Sequence, residues 1–427
     1  MADIAVIGAG YVGLTTGTCL AHLGHDVTIA DVDEKKVQKL TGGEIPIFEP
    51  GLSELLSEGI ENGNLKFVVG AVNASQNAAF HFLCLPTPPN PDGSTNMEYF
   101  SSAIEEIKEI LPTNSVIVNK STVPVGTTSQ LKKQIQRTDV EIVSNPEFLS
   151  EGNAVQDFLH PSRIVIGAES QQAATKVAAL FSDIDAPNQI TGTKSAELIK
   201  HTANAFLAMK LTFINEIATL CELVGANVLD VAEGIGYDPR IGSTYLRPGP
   251  GWGGSCFPKD SASLLQTANK AGFDFELLEK AITLNQGHLK RTAEKVIHAL
   301  PQGKEVEKSK IAVLGLTFKA GTDDLRSSPS LAVIDHLLNL KAHVSAYDPM
   351  VNLPIANMDN LEISSTAYDA VNNADALVIL TEWQEFADLN YERIHEAMSH
   401  PVVIDARNVL NRQELEQLGF QYIGLGQ

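Results

Sequence analysis

The fold of this chain is indicated most clearly by one stretch near its start, Ile4-Ala-Val-Ile-Gly-Ala-Gly-Tyr-Val-Gly13. A short apolar run leads into the pattern G-x-G-x-x-G, and a helical stretch follows the last glycine. The next apolar run, Val27–Ala30, ends in Asp31, which lies 18 positions beyond Gly13. A preceding strand, a following helix and an acid closing the second strand are the context in which this motif binds a dinucleotide. The sequence therefore predicts a doubly wound α/β domain in the first part of the chain.

The glycines and the acid have separate tasks in such a domain. We expect the diphosphate of the cofactor at the helix N-terminus, against the turn formed by Gly8, Gly10 and Gly13. The Asp31 carboxylate is expected to bind the ribose hydroxyls, which favours NAD over NADP. Lys35-Lys36 follows closely and leaves NADP open, unless the two lysines only form a solvated helix start.

Polar residues follow three further apolar runs, where strands of a parallel sheet are expected to end. Pro86–Pro89 follows the first run, Thr122 the second, and Glu147 and Glu151 follow Ser144. Ligands bind at this carboxyl edge of an open parallel sheet. The two glutamates are either solvated loop carboxylates or groups for acid/base chemistry and ribose binding.

A glycine- and proline-free stretch from Thr193 to Val224 predicts one helix of 32 residues, ~48 Å long. Its apolar residues lie on most faces, so we expect the helix to be buried, in part by a second subunit. Lys200 and Asn204 are four apart and share a face. A lysine in such surroundings needs a partner or a task, and we expect a functional role.

Gly249-Pro-Gly-Trp-Gly-Gly-Ser-Cys-Phe-Pro-Lys-Asp260 is the second decisive stretch, with four glycines in six residues ahead of a cysteine. The glycines allow a close approach between backbone and ligand. Cys256, with Lys259 and Asp260 close behind, has the composition expected of an activated sulfur nucleophile. The alternative is a glycine-rich loop that contains a cysteine by chance. Residues 261–299 beyond it are predicted to be helical.

The pattern of the first domain recurs after the polar linker Pro301–Lys308. Four apolar runs, beginning at Ile311, echo the strands of the first domain, but the first loop is Gly315-Leu-Thr-Phe-Lys-Ala rather than G-x-G-x-x-G. A second doubly wound domain with a different ligand is therefore expected. Its cations Lys319, Arg326 and Arg407 predict a phosphate site.

Composition narrows the possible partners and compartment. A net charge of −21 in 427 residues argues against a nucleic acid or an anionic membrane as partner. The cysteines are far apart and form no CxxC pair, so we expect no structural metal and a reducing compartment. The start of the chain does not resemble a signal peptide, and no run approaches the ~20 apolar residues of a membrane span. We therefore expect a cytoplasmic protein.

Motifs along essentially the whole chain resemble those of the UDP-glucose/GDP-mannose dehydrogenases, a family of nucleotide-sugar dehydrogenases. The motifs that carry this resemblance are Gly8-Ala-Gly-Tyr-Val-Gly-Leu, Pro86-Thr-Pro, Ser121-Thr-Val-Pro, Asn145-Pro-Glu-Phe-Leu-Ser-Glu-Gly, Lys200-His-Thr-Ala-Asn-Ala-Phe-Leu-Ala, Gly253-Gly-Ser-Cys-Phe-Pro-Lys-Asp and Lys319-Ala-Gly-Thr-Asp-Asp-Leu-Arg326. The Phe257-Pro-Lys-Asp form is similar to the UDP-glucose branch. Trp252 stands where that branch commonly has Phe, and Asn96 where it has Asp.

The resemblance implies a fold of two Rossmann-like doubly wound domains joined by a long central helix and a helical dimerisation region. The boundaries are then 1–190 for NAD binding, 191–300 for the central helical part with the cysteine loop, and 301–427 for UDP-sugar binding. It also implies a homodimer and an NAD-dependent, four-electron oxidation of UDP-glucose through a thiohemiacetal and a thioester on Cys256.

Roles carried over from the family are assigned residue by residue. The catalytic set is Cys256 as nucleophile, Lys200 and Asn204 for the alkoxide, Thr122 and Asp260 for a water, and Glu147 as acid/base. The implied cofactor contacts, besides the three glycines, are Val12, Asp31, Lys36, Thr87, Thr122, Glu151, Lys259 and Arg326. The implied substrate contacts are Phe148, Leu149, Ser150, Glu151, Lys200, Asn204, Tyr245, Leu246, Arg247, Pro248, Gly249, Gly253, Lys319 and Arg407, with Arg240 reaching the neighbouring subunit's site.

Three other functions stay open on the sequence. The same chemistry could act on GDP-mannose or a UDP-N-acetylhexosamine, which a panel of nucleotide sugars separates. A β-hydroxyacid dehydrogenase shares the helix lysine but needs no cysteine and performs one oxidation only. A non-catalytic, NAD-responsive binding protein would have no use for Cys256, Lys200 and Asp260.

Overall fold

Two compact units make up the chain in its computed structural model, which describes residues 1–356, 358 and 360–427. The first unit contains residues 1–203 and 262–273, and the second contains residues 204–261 and 274–427. Two long helices, α9 (Thr193–Val224) and α11 (Phe257–Lys270), therefore have residues in both units.

The first unit is built on a sheet that has eight strands within the described residues, in the order β3-β2-β1-β4-β5-β6-β7-β8. Neighbouring strands run parallel except β6 and β7, which meet antiparallel. The strand order reverses between β1 and β4, which is the switch point where such sheets bind ligands. The strands are β1 (Asp3–Ile7), β2 (Asp26–Asp31), β3 (Leu65–Val69), β4 (Phe80–Leu83), β5 (Val116–Asn119), β6 (Glu141–Ser144), β7 (Ile164–Gly167) and β8 (Asn188–Thr191).

Helices cover both faces of this sheet, so its central strands are buried on both sides, as parallel sheets require. One apolar cluster includes Leu14, Ile29 and Phe82, and the cluster on the other face includes Leu83 and Ile104. The helices are α1 (Tyr11–His22), α2 (Glu34–Thr41), α3 (Leu52–Glu61), α4 (Ala71–Ser75), α5 (Glu98–Ile107), α6 (Thr127–Ile135), α7 (Ala154–Leu159) and α8 (Gln171–Ala179).

The second unit repeats this plan in a sheet that has six strands among the described residues, ordered β11-β10-β9-β12-β13-β14. All its neighbouring strands are parallel. The strands are β9 (Lys310–Leu314), β10 (His343–Tyr347), β11 (Leu361–Ile363), β12 (Ala376–Ile379), β13 (Val402–Asp405) and β14 (Gln421–Gly424). The helices after β9 are α13 (Pro329–Asn339), α14 (Ala367–Val371), α15 (Gln384–Ala387), α16 (Tyr391–Ala397) and α17 (Arg412–Gln417), and a 3₁₀ turn, Val306–Lys308, lies before β9. The predicted fold, two Rossmann-like sheets with a long central helix, is confirmed.

The central helix α9 has the bounds that the sequence predicts, Thr193–Val224. One face of its second half packs Ile214, Ala218 and Cys221 against α10 (Val228–Gly236). The opposite face leaves Phe206, Phe213 and Leu220 between 51% and 58% exposed. A single chain thus buries only one side of α9, and the subunit interface expected on its other side stays a prediction.

The prediction that residues 261–299 are helical is confirmed except at residues 271–275 and 299. The structure has two helices, α11 (Phe257–Lys270) and α12 (Glu276–His298). Gly272 separates them with a φ of 75°, a left-handed conformation that ends helices and favours glycine. Helix α11 also begins earlier than expected, directly after Cys256, whose carbonyl accepts a hydrogen bond from the Asp260 N–H.

No helix in the described ranges has the length and apolar character needed to cross a bilayer. Within the same residues, no three His, Cys, Asp or Glu side chains group in a way that could hold a metal ion.

Candidate functional site

The turn between β1 and α1 has the close packing that a dinucleotide site requires. A Cβ atom on Gly8 would lie 2.4 Å from the Cys84 carbonyl oxygen, and one on Gly13 would lie 1.8 Å from the Gly8 carbonyl oxygen. A Cβ on Gly10 would have no other described atom within 4 Å. Gly8 and Gly13 therefore hold strand and helix together, whereas Gly10 opens onto the space before the α1 N-terminus, where a diphosphate fits.

Asp31 ends β2 beside this turn. Its carboxylate accepts hydrogen bonds from the N–H groups of Ala9 and Asp33 and from Lys36 Nζ, each at 3.0 Å. Burial pushes the pKa of Asp31 up, but the hydrogen bonds from Asp33, Lys36 and Ala9 outweigh it and leave the pKa below its ordinary value. Asp31 is therefore an anion at neutral pH, as a ribose-binding acid must be, and it forms an ion pair with Lys36.

Lys200 and Glu147 form a buried ion pair in the first unit. Lys200 Nζ lies 3.0 Å from Glu147 Oε1, and the two side chains are only 3% and 7% exposed. The other carboxylate oxygen, Glu147 Oε2, accepts the Leu149 N–H at 2.6 Å. The Lys200 ammonium also lies 5.6 Å from the centre of the Phe148 ring. The structure thus brings the helix lysine and the loop glutamate together, although 53 residues separate them in sequence.

Two neighbours of Lys200 on α9 hold the loop that carries Thr122, and sequence reasoning missed both. Glu197 accepts hydrogen bonds from the Gly126 N–H at 2.5 Å and from the Thr128 N–H at 2.8 Å. The His201 ring bonds to the Val123 carbonyl oxygen at 2.8 Å. The spacing of residues 197, 200, 201 and 204 places four polar side chains on one helix face, a signal that was available in the sequence.

In the second unit, the glycine-rich loop before Cys256 lies on the first turns of the second sheet. A Cβ on Gly249 would come 3.0 Å from Arg407 Nη1, and one on Gly253 would come 2.0 Å from the Ser327 carbonyl oxygen. Gly254 has a φ of 80° and would bring a Cβ 2.8 Å from the Phe318 ring. The glycines are thus required for close contact with the sheet that carries the predicted phosphate cations.

Gly249 is also fixed from the side of the helices by two residues that sequence reasoning missed. Its N–H donates to Asn215 Oδ1 at 3.0 Å, and its carbonyl oxygen lies 2.8 Å from His288 Nε2. Burial lowers the pKa of His288, so the neutral ring donates from Nε2 to this carbonyl. Nothing in the local sequence points to either contact, since both partners lie more than 30 residues away.

Trp252, at which the sequence departs from the common family pattern, faces the helices. Its indole N–H donates to Thr212 Oγ1 at 2.8 Å, and its backbone exchanges two hydrogen bonds with the Asn285 amide at 2.9 Å each. The side chain is 6% exposed. Trp252 therefore anchors the loop to α9 and α12.

Cys256 directly precedes α11, where the helix dipole favours a negatively charged sulfur. Ser255 Oγ lies 3.6 Å from the Cys256 sulfur. One turn into the helix, the fully buried Asp260 accepts hydrogen bonds from Asn204 Nδ2 at 2.6 Å and from Lys259 Nζ at 2.7 Å. Four predicted residues of the second unit are therefore joined at the start of one helix.

The cationic side chains Arg407 and Arg326 of the second sheet differ in burial and in hydrogen-bond partners. Arg407 is 17% exposed at its side chain, donates from Nε to the Leu380 carbonyl at 2.8 Å and pairs with Glu382. Arg407 Nη2 also reaches the Phe318 carbonyl at 3.4 Å, next to Lys319. Arg326 is more exposed and forks onto Asp324 at 2.7 to 3.0 Å.

The first turn of the second sheet already contains an anion of its own. Asp348 Oδ2 accepts hydrogen bonds from the N–H groups of Leu316 and Thr317, from the Thr317 hydroxyl and from the Trp383 indole, at 2.8 to 3.3 Å. Asp348 is 2% exposed. A carboxylate thus holds backbone donors that would otherwise face a phosphate.

Two other predicted residues, Arg240 and Leu246, have contacts of a different kind. The Arg240 side chain is 87% exposed and forks onto Asp238. Leu246 is buried in the cluster of Ile214 and Ala218, so only its backbone can meet a ligand. The roles predicted for Val12, Thr87, Thr122, Glu151, Tyr245, Arg247 and Pro248 rest on the resemblance and stay predictions.

Sequence comparison places these features in a known context. Three domains of one family match this chain: the NAD binding domain at residues 2–185, the central domain at 194–287 and the UDP binding domain at 312–412. The chain belongs to the UDP-glucose/GDP-mannose dehydrogenase family. Its first turn, with the glycines and Asp31 described above, is thus the cofactor turn of the family's NAD binding domain.

Relatives within the UDP-glucose/GDP-mannose dehydrogenase family match over 93% to 99% of their lengths. The UDP-glucose 6-dehydrogenase of Rhizobium meliloti is 45% identical over 99% of both chains. The UDP-glucose 6-dehydrogenase TuaD of Bacillus subtilis is 41% identical, over 100% of this chain and 93% of the relative. The solved structure of a UDP-glucose dehydrogenase from the archaeon Pyrobaculum islandicum has a TM-score of 0.90 at 32% identity, over 100% of this chain and 98% of the other. A UDP-D-ManNAc dehydrogenase from Pyrococcus horikoshii follows with a TM-score of 0.88 at 30% identity, over 99% of both chains.

Proposed function

We propose that this chain is a UDP-glucose 6-dehydrogenase that oxidises the primary alcohol of UDP-glucose to the carboxylate of UDP-glucuronate. The observation that carries the proposal is Cys256 at the start of α11, with Asp260 one turn further on, bonded to Asn204 and Lys259. An alcohol dehydrogenase that stops at the aldehyde needs no such cysteine. The names of the relatives and the family's UDP binding domain support the choice of sugar nucleotide.

The chemistry consists of two oxidations and one hydrolysis. Removal of a proton and a hydride from the alcohol gives the aldehyde, and addition of the Cys256 thiol gives a thiohemiacetal, which can lose a second hydride. The thioester that results is cleaved by water, which regenerates the thiol and releases the carboxylate. Two NAD⁺ molecules, bound one after the other, would each accept one hydride. One alcohol, one water and two NAD⁺ then give one carboxylate, two NADH and three protons.

Side chains of this protein perform the remaining tasks. Lys200 and Asn204, one turn apart on α9, stabilise negative charge on the substrate oxygen. Asp260 holds Asn204 in place and, with Thr122, orients the water. Glu147, fixed by Lys200 and by its own loop, serves as acid/base in thioester hydrolysis.

The nucleotide sugar binds, in this proposal, beside the glycine-rich loop where the loop meets the first turns of the second sheet. Gly249 and Gly253 approach this sheet as closely as a backbone can, and Arg407 lies under Gly249. Lys319 and Arg407 neutralise the diphosphate. The division of the chain into residues 1–190, 191–300 and 301–427 then separates cofactor binding, assembly and the thiol, and UDP-sugar binding.

We infer further that the active form is a homodimer in the cytoplasm. The exposed stripe of Phe206, Phe213 and Leu220 on α9 supports a second copy as its cover, because such side chains are costly to leave in water. The exposed Arg240 then reaches the neighbouring subunit's site. A reducing compartment keeps the Cys256 thiol available for addition to the aldehyde.

Counting NADH per nucleotide sugar tests the proposal. With UDP-glucose as the limiting substrate, we expect two NADH for each UDP-glucuronate formed. GDP-mannose and UDP-N-acetylhexosamines, assayed in parallel, should turn over far more slowly. One NADH per sugar would contradict the thioester route and favour a single-oxidation dehydrogenase, and no NADH from any sugar nucleotide would favour a binding protein.

A further inference from the structure

Glu49 lies in the connection between α2 and α3 and is buried to 94%, with an exposed fraction of 6%. Both of its carboxylate oxygens are used. Oε1 accepts the Ala154 N–H at 2.7 Å, and Oε2 accepts the Gly152 N–H at 2.7 Å and the hydroxyl of Tyr11. A buried carboxylate is tolerated when it is hydrogen-bonded in this way, and its partners are then held firmly.

The backbone groups that Glu49 holds belong to the end of the Glu147 loop. Gly152 ends that loop with a φ of 81°, and Ala154 begins α7. Inside the loop, Glu147 Oε2 accepts the Leu149 N–H, so the position of the glutamate follows the position of the loop backbone. The carboxylate of Glu49 therefore acts on Glu147 through the chain between them.

Tyr11 connects this arrangement to the cofactor turn. It is the first residue of α1, directly after Gly10 of the glycine motif. Its hydroxyl donates to Glu49 and lies 3.2 Å from the Gly152 N–H. Burial, together with the hydrogen bond to Glu49, raises the pKa of Tyr11, so the hydroxyl remains a donor.

We propose that Glu49, with Tyr11, is a positioning residue that fixes the Glu147 loop against the cofactor turn and so places Glu147 for thioester hydrolysis. This inference rests on the proposed function for the identity of the step. Neither side chain reacts, and both act through the backbone of Gly152 and Ala154. The arrangement also attaches the acid/base loop to the helix whose N-terminus faces the cofactor diphosphate.

Glu49→Gln is the sharpest test, because it keeps the shape of the side chain. In either orientation the new amide nitrogen faces a backbone N–H group, at Gly152 or at Ala154. Glu44→Gln is the matched control, since Glu44 lies in the same connection with a side chain that is 63% exposed and bonded to Lys39. Tyr11→Phe removes only the hydroxyl and serves as a second, milder variant.

Two measurements give separate answers. Hydrogen exchange of a peptide spanning residues 150–156, without any substrate, should speed up at least about tenfold in Glu49→Gln and stay unchanged in Glu44→Gln. In rapid mixing with UDP-glucose and NAD⁺, Glu49→Gln should still release up to two NADH per site in a burst. Its steady-state kcat should fall about 10- to 100-fold, because hydrolysis is slowed by a displaced Glu147. The KM for NAD⁺ should change less than about threefold.

Tyr11→Phe should show the same pattern at about 3- to 10-fold, and the double variant should lose less than the product of the single effects. Burst amplitude and steady-state rate that decline together would indicate a loss of folded protein and overturn the inference. Unchanged exchange in Glu49→Gln would overturn it as well. If Glu49→Gln does not fold, Tyr11→Phe decides by the same criteria. Failure of the proposed function would appear as an absent NADH burst in the wild type, and the exchange result would stand independently.

Discussion

At the scale of single residues, the role proposed for Cys256 separates this protein from dehydrogenases that perform one oxidation. We expect Cys256→Ser to lose net formation of UDP-glucuronate by several orders of magnitude, because a serine hydroxyl is a far weaker nucleophile than a thiolate and an oxygen ester forms poorly. UDP-glucose binding, measured by calorimetry, should remain within a few fold of the wild type. A variant that keeps wild-type turnover would show that the route does not pass through the sulfur.

Lys120 predicts a pH dependence of stability. Its Nζ donates to Asn145 Oδ1 at 3.0 Å and lies 5.6 Å from the ring centres of Phe158 and Phe181. Burial lowers the pKa of Lys120 from 10.5 to about 8. Below pH 8 the folded protein carries a buried charge at a cost, and between pH 8 and 10.5 the unfolded chain binds more protons than the folded one, so stability rises with pH.

Lys120→Met removes this contribution. The quantity to follow is the difference in the free energy of unfolding between the wild type and the variant. This difference, wild type minus variant, should increase by on the order of 3 kcal/mol between pH 8 and 10.5 and stay level below pH 8. Urea titrations at several pH values measure it, and the exposed Lys66 provides the control Lys66→Met. A difference that does not vary with pH would mean that Lys120 is not buried as a charge.

The limits of sequence reasoning are clearest at this scale. The functional roles of Lys200 and Asn204 could be predicted, because a lysine in a buried, apolar helix is costly unless it has a partner or a function. Glu49 could not, because its partners Gly152 and Ala154 are more than 100 residues away and its own surroundings look like an ordinary loop. Contacts of this kind are set by tertiary folding and leave no local pattern.

At the scale of elements, α9 was predictable to the residue and the helices after Cys256 were not. The ends of α9 are marked by a long stretch without glycine or proline and by Gly225 just beyond it. Between α11 and α12 a single glycine, Gly272, ends the helix through its positive φ. One glycine in a helical pattern is compatible with either outcome, and only packing decides between them.

The exposed face of α9 leads to a prediction about assembly. Phe213→Glu should convert the dimer to a monomer, because a charge in the interface would be buried without a partner. The monomer should stay folded, since Phe213 is 54% exposed in the single chain. Light scattering after gel filtration measures the mass, and circular dichroism measures the fold.

Leu353→Glu is the control for this change, because Leu353 is 71% exposed and lies in the connection after β10. It should leave the mass unchanged. A dimer that persists in Phe213→Glu would show that the α9 stripe is not the interface.

At the scale of the whole molecule, the two sheets share the strand order 3-2-1-4-5-6. The repeat of apolar runs in the sequence predicts two doubly wound domains, though not their strand order. What the repeat cannot predict is whether a second chain completes a site. Arg240 is the residue on which this question depends, because its side chain is 87% exposed in the single chain.

Mixing two inactive variants tests whether sites are shared between subunits. Arg240→Ala and Cys256→Ser should each have little activity alone. After subunit exchange, half of the dimers are mixed, and each holds one site with both residues intact, so the mixture should regain about one quarter of wild-type activity. No recovery, with exchange verified by mass spectrometry of the dimers, would place Arg240 outside the partner's site.

The carboxylate of Asp348 in the first turn of the second sheet has a consequence for ionic strength. The Leu316 and Thr317 N–H groups of that turn are already occupied, so in the proposed function the diphosphate of the sugar nucleotide depends on the side-chain charges of Lys319 and Arg407. The cofactor diphosphate is instead expected to meet backbone N–H groups at short range, at the start of α1. Since dissolved salt screens exposed charges far more than short hydrogen bonds, raising NaCl from about 0.05 to about 0.5 M should raise the KM for UDP-glucose several-fold and leave the KM for NAD⁺ nearly constant. Two diphosphates bound by two related sheets would then differ in their response to the same electrolyte.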